Sequence, residues 1–145
     1  MPQISRSALV RFSAEQMYAL VNDVDNYPKF LPGCVGSEVL SQSDAQMTAR
    51  VDVAKSGINQ SFTTLNSLES GRVINMALQD GPFKTLEGQW RFLPLTEDAC
   101  KVELELEFEF SNKIVEMAFG KVFKELMGAM VNAFTERAKV VYSGN

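Results

Sequence analysis

The chain has 145 residues, the size of one domain with a sizeable core, and carries 14 Lys and Arg against 18 Asp and Glu. A net charge of −4 excludes a bulk attraction to nucleic-acid phosphates or anionic membranes and leaves only a local basic patch for such contacts. There is no histidine, which removes His-based triads, His metal ligands and His proton shuttles together.

Cys34 and Cys100 form no metal motif, and residues 1–11 lack a basic segment followed by an apolar run. Free thiols in a reducing cytoplasm are therefore expected. The longest uncharged apolar stretch, residues 126–135, is too short to span a bilayer.

In chain order, residues 4–12 predict a first strand with Ile4, Ala8 and Val10 on one side. Ser13 then caps a helix, with Gln16 three residues on as in a capping box, and Met17, Leu20 and Val21 form its apolar face. Residues 23–34 hold Pro28, Pro32 and Gly33, which predict one helical turn followed by a tight turn. Tyr27, Phe30 and Leu31 there either plug one end of a core or close over a ligand.

A run of strands follows. Residues 37–42 form one, and residues 46–54 put Met47, Ala49, Val51 and Val53 on one face. In residues 58–68 the alternation is blurred: Ile58, Phe62 and Leu68 share a face with Thr64 and Asn66. Residues 72–79 bring Ile74, Met76 and Leu78 into register, and residues 80–83 form a turn. In residues 84–92, Leu86, Trp90 and Phe92 point inward with Gly88, a strand glycine that signals a bend or a close approach. Residues 94–98 read as a loop.

The last strand alternates most clearly. Cys100, Val102, Leu104, Leu106, Phe108 and Phe110 face one way; Lys101, Glu103, Glu105, Glu107 and Glu109 face water, with Arg91 a cross-strand partner for the glutamates. Finally, residues 112–142 repeat apolar side chains at spacings of three and four, from Val115 and Phe119 to Ala138 and Val141. This predicts a helix of about 45 Å, with Gly120 and Gly128 marking a bend or space for a neighbour and a break at Gly120 as the minor alternative. Strands flanked by helices predict an α+β domain with the helices on one face of a curved antiparallel sheet.

Phe119, Phe123, Met127, Met130 and Phe134 read either as core or as the lining of an apolar cavity, for which flexible methionine is suited. Thr64 and Asn66 either face that cavity, able to hydrogen-bond a ligand carbonyl or hydroxyl, or are turned to solvent by a bulge. No phosphate loop, paired-carboxylate motif or nucleophile elbow is present, and spacing alone nominates none of Asp25, Tyr27 and Glu87 as acid or base.

Four segments together carry a family resemblance: residues 27–34 (YPKFLPGC), 62–66 (FTTLN), 80–92 (DGPFKTLEGQWRF) and 134–138 (FTERA). On them the whole chain, residues 1–145, resembles the coenzyme-Q-binding START-like family of the polyketide cyclase/dehydrase superfamily. The resemblance implies one helix-grip domain, a curved sheet around a long C-terminal helix with a hydrophobic tunnel between.

It also implies two functions. Some members bind isoprenoid quinones such as ubiquinone in support of respiration. Others are ribosome association toxins that bind the large ribosomal subunit and inhibit translation. The leading expectation is a non-catalytic quinone-binding protein, with Phe30, Leu31, Trp90, Phe119, Phe123, Met127 and Phe134 lining the cavity and Thr64 and Asn66 as polar contacts. No cofactor is required beyond a bound ubiquinone-like lipid. Contact with DNA is not expected, peripheral contact with a membrane is compatible with the family, and cyclase-type catalysis is the minor alternative.

Overall fold

Each predicted strand has one apolar face, and antiparallel pairing brings those faces to one side, where they need a cover. The computed structural model, which describes residues 3–55 and 57–142, shows how the cover is made. In chain order the elements are β1 (Gln3–Val10), α1 (Ala14–Asn22), a 3-10 helix (Val24–Lys29), β2 (Cys34–Gln42), β3 (Gln46–Lys55), β4 (Ile58–Glu69), β5 (Val73–Asp80), β6 (Phe83–Thr96), β7 (Ala99–Phe110) and α2 (Lys113–Tyr142). The strands form one curved antiparallel sheet in the order β1-β7-β6-β5-β4-β3-β2. It grips α2, which packs mainly on β1, β7 and α1 and only lightly on β4. This is the helix-grip fold.

Local signals act as read. The Ser13 hydroxyl accepts from Gln16 N–H at 3.1 Å, and the Gln16 side chain accepts from Ser13 N–H at 2.9 Å, closing the capping box. The Asn112 side chain accepts from Val115 N–H at 2.9 Å and starts α2. Arg91 bonds Glu103 at 2.7 Å across the strands, and Lys101 reaches the same carboxylate at 3.2 Å.

Two expectations are corrected, and one alternative falls away. Residues 94–98 are not all loop, because β6 continues to Thr96 and pairs Pro94 with Cys100. There β6 has run past β5, so the missing proline N–H faces an unpaired edge and costs no ladder bond. The alternative that falls away is a break at Gly120, because α2 runs continuously as the period over residues 112–142 predicts. A Cβ at Gly120 would meet Phe110 at 3.6 Å, an ordinary contact, whereas at Gly128 it would meet the Arg6 guanidinium at 3.3 Å. Val141 is 46 % exposed although it keeps the apolar period, because the helix end is pinned through Tyr142, whose hydroxyl donates to the Gln16 carbonyl at 2.9 Å.

Candidate functional site

The inward residues of the sheet and the inner face of α2 do not close completely on one another. Between them lies a cavity of about 60 Å³. The 3-10 helix and the turn after it contribute Val24, Tyr27 and Leu31. The sheet contributes Ala49 and Val51 from β3, Phe62, Thr64 and Asn66 from β4, Met76 from β5, Leu86 and Trp90 from β6, and Leu104 and Leu106 from β7. From α2 come Phe123, Leu126, Met127 and Met130.

The cavity is smaller than the roughly 150 Å³ in which a benzene ring is held by an apolar protein interior. A ring therefore enters only when the lining moves, and three of its members are methionines with several rotatable bonds. Gly88 has the close approach its pattern predicted. A Cβ there would stand 2.5 Å from Leu106 Cδ1 and 2.9 Å from Met76 Cε, so the glycine makes room for two lining side chains.

Of the side chains nominated from sequence, Leu31, Thr64, Asn66, Trp90, Phe123 and Met127 meet at the cavity, and Phe30, Phe119 and Phe134 do not line it. Phe134 is buried one layer behind, its ring 5.4 Å from both Tyr27 and Trp90. Phe119 packs at the end of the sheet, 6.2 Å from Phe83 and 6.1 Å from Phe110. Phe30 lies half-buried outside, 5.2 Å from Phe134 on one side and under the Arg137 guanidinium at 5.2 Å on the other. The stripe repeats every three to four residues, but a helix gripped on several sides spreads those residues over more than one layer. Ala49 and Met76 were not nominated. Cross-strand register places them beside Thr64 and Asn66, and register is a pairing that no single segment displays.

Thr64 and Asn66 face inward despite a bulge in the β4–β5 ladder next to Thr64. The Thr64 hydroxyl donates to Asn66 Oδ1 at 2.8 Å. Among the described residues no acceptor takes the Asn66 amide N–H or the Trp90 indole N–H. The Tyr27 hydroxyl donates to the Val21 carbonyl, and burial pushes its pKa far up, so it remains a protonated phenol. The polar atoms of the wall are thus the Thr64–Asn66 pair and the Trp90 indole, with hydrogen-bonding capacity left over. Its lining holds no carboxylate, lysine or arginine. Asp25 is exposed and accepts from Val39 N–H, and Glu87 is exposed on the outer face of β6. Among the described residues no group of three Cys, Asp or Glu side chains is arranged to hold a metal.

A surface groove of about 260 Å³ runs beside the cavity, between α2 and β3. Leu126 lines both. Lys55 of β3 bonds Glu125 of α2 at 2.9 Å along the groove, with both side chains about half exposed.

A curved seven-stranded sheet holding a long helix over an apolar cavity defines a START-like, helix-grip protein. The chain belongs to the family of polyketide cyclases, dehydrases and lipid-transport proteins, which it matches over residues 10–135. It is 67% identical over 142 residues to the ribosome association toxin RatA of Vibrio cholerae, an alignment covering 98% of this chain and 99% of that protein. It is 31% identical over 144 residues to the mitochondrial coenzyme Q-binding protein COQ10 homolog B of Xenopus laevis, covering 97% of this chain and 59% of that longer one. Among solved structures, the Zhui aromatase/cyclase of Streptomyces sp. R1128 superposes with a TM-score of 0.84 at 19% identity over 99% of this chain and 98% of that one, a likeness of fold. No helix among the described residues is long and apolar enough to cross a membrane.

Proposed function

We propose that the chain, acting as one START-like domain without catalysis of its own, binds an isoprenoid quinone such as ubiquinone between sheet and helix. The observation that carries this reading is an apolar cavity with the Thr64–Asn66 pair and Trp90 in its wall, polar groups with an N–H to offer. A quinone ring offers the matching chemistry, an apolar body with carbonyl and methoxy acceptors. In this reading the flexible lining supplies the remaining volume, and the neighbouring groove beside Lys55–Glu125, which shares Leu126 with the cavity, is the proposed way in. Phe30, Phe119 and Phe134 support the lining from behind. The lining holds no carboxylate or amine, and its one phenol, Tyr27, is engaged with the Val21 carbonyl, which supports binding over cyclase chemistry.

Trp90 is the chain's one tryptophan, and it lines the cavity. Titration with a short-chain ubiquinone is expected to quench its fluorescence saturably at one equivalent. Ala49→Leu, which fills the cavity from the β3 side, is expected to weaken that quenching in a folded protein. Quenching that never saturates, or that Ala49→Leu leaves unchanged, rejects the cavity as the site.

A second reading concerns the outer surface and coexists with the first. Identity of 67% over nearly the full length to a protein named for ribosome association favours contact with the ribosome, and the family resemblance makes the proposed target the large subunit, in the cytoplasm. Co-sedimentation of the purified chain with large subunits tests it, and a chain left wholly in the supernatant at low salt rejects it.

A further inference from the structure

The charge of the chain disfavours a broad grip on RNA, so any contact with RNA must be local. Seven of the 14 cations are tied up in ion pairs: Arg50, Lys55, Arg72, Lys84, Arg91, Lys101 and Lys139. Of the other seven, Arg137 lies over the Phe30 ring, and Arg11 and Lys29 stand apart in the sequence. The remaining four are Arg6, Lys113, Lys121 and Lys124.

These four gather on one surface. At about 3.6 residues per turn, Lys121, Lys124 and Gly128 follow one another along the side of α2 that faces away from Phe119, Phe123 and Phe134, and Lys113 continues the row toward the helix start. Arg6 joins from β1, its guanidinium laid against Gly128 and its Nη1 donating to the Ser5 carbonyl at 2.9 Å. Gly128 thus supplies the space in which an arginine lies flat along the helix. Carboxylates are few beside the row. Over residues 113–124 three lysines face one acid, Glu116, and Glu125, which attracts Lys121, is already bonded to Lys55. At the same end Met117 and Ile114 are 85 % and 79 % exposed, more than any other large apolar side chain described.

We propose that this outward face of α2, with Arg6, Lys113, Lys121 and Lys124 as phosphate contacts and Ile114 and Met117 as apolar contacts, docks the chain on an RNA phosphate backbone of the large ribosomal subunit. The proposal rests on the ribosome reading above and says where that contact is made. The row extends along about 22 Å of helix, the length of several consecutive phosphates. An RNA ridge meets this row alone, whereas a bilayer presents an extended anionic plane to the rest of a chain of charge −4. Two apolar side chains are also a small anchor for a bilayer.

The test is co-sedimentation of the full chain with purified large ribosomal subunits across a salt series, with lipid vesicles of phosphatidylglycerol run in parallel. Four phosphate contacts predict an affinity that falls about a hundredfold between 50 and 200 mM salt. Lys121→Glu with Lys124→Glu is expected to weaken binding more than tenfold and to flatten the salt dependence, and Lys29→Glu to change neither. All of these side chains are exposed, so the variants retain the fold. Wild-type binding that the double variant leaves intact overturns the proposed face and spares the ribosome reading. A wild-type chain that ignores large subunits overturns both. Binding to vesicles in place of subunits, lost in the double variant, assigns the face to a membrane and overturns the proposal.

Discussion

Asn66 shows how one side chain acts on stability and binding in different ways. It accepts from the Thr64 hydroxyl at 2.8 Å, and its amide N–H is proposed as a donor to the ligand. Asn66→Leu strands the Thr64 hydroxyl in an apolar wall and is expected to cost about 1–3 kcal/mol of stability. Thr64→Val with Asn66→Leu removes both partners and is expected to restore most of that loss in thermal unfolding. Quinone affinity should nevertheless remain about tenfold down in the double variant, because the donor is gone. A double variant that binds as wild type would remove Asn66 from the proposed site. Gly88 is the steric counterpart. Gly88→Ala places a Cβ 2.5 Å from Leu106 Cδ1 and 3.1 Å from the Glu105 carbonyl oxygen, which as backbone does not yield. Overpacking of this kind is expected to destabilise by about 1–3 kcal/mol, measurable by urea denaturation.

Within α2, the two interior glycines behave differently from an ordinary pair of helix defects. A Cβ at Gly120 meets only ordinary contacts, so Gly120→Ala recovers helix propensity and is expected to stabilise by about 1 kcal/mol. At Gly128 the same gain is set against Arg6, whose guanidinium is the flexible end of a long side chain, so a smaller gain is expected in the same melting experiment. Between α2 and β3, the Lys55–Glu125 pair is half exposed and contributes at most about 1 kcal/mol. Glu125→Lys is therefore expected to leave the melting temperature within a few degrees while speeding quinone uptake, read as the rate of Trp90 quenching after mixing. Restoring the pair in reverse, with Lys55→Glu added, should slow uptake again; unchanged rates in both variants would place the way in elsewhere.

The molecule as a whole should show a broad pH plateau, since no histidine titrates between the carboxylates and the thiols. At the acid end, the Ser61 hydroxyl and then Arg50 hold the Asp52 carboxyl below its ordinary value of 3.8, and Arg91 and Lys101 lower that of Glu103. Depressed carboxyls stabilise the fold above their unfolded pKa, and that contribution is lost as pH falls through the folded one, so acid should begin to destabilise the chain near pH 4 and below. At the alkaline end the sign reverses. Burial raises the Cys100 thiol from 9.0 to about 11 and also pushes up Cys34 and Tyr27. These groups stabilise the fold below their unfolded pKa, and stability is lost as pH rises from about 9 through 11. Urea midpoints measured from pH 3 to 11 check both limbs. A midpoint that changes steeply between pH 5 and 8 would contradict the assignment.

Much of this architecture could be read from order and period alone. Ser13 with Gln16, the unbroken alternation of residues 100–110 and the three-and-four spacing after Asn112 each act within a few residues, so a linear pattern records them. Which inward residues meet was harder to read. Phe119, Phe123 and Phe134 share one stripe, yet only Phe123 reaches the cavity, because the sheet curves around the helix and seals its two ends with other rings. The blurred pattern of β4 left Thr64 and Asn66 open between core and solvent, and pairing with Ala49 and Met76 decided it. The sheet-and-helix class, the absence of histidine chemistry and the apolar stripe are legible in the chain alone, since composition and local periodicity are properties of a linear string. The size of the cavity, which side chains line it and which cations of α2 are left without an ion pair came from the fold. Those depend on which side chains find partners across elements, and that is settled by packing.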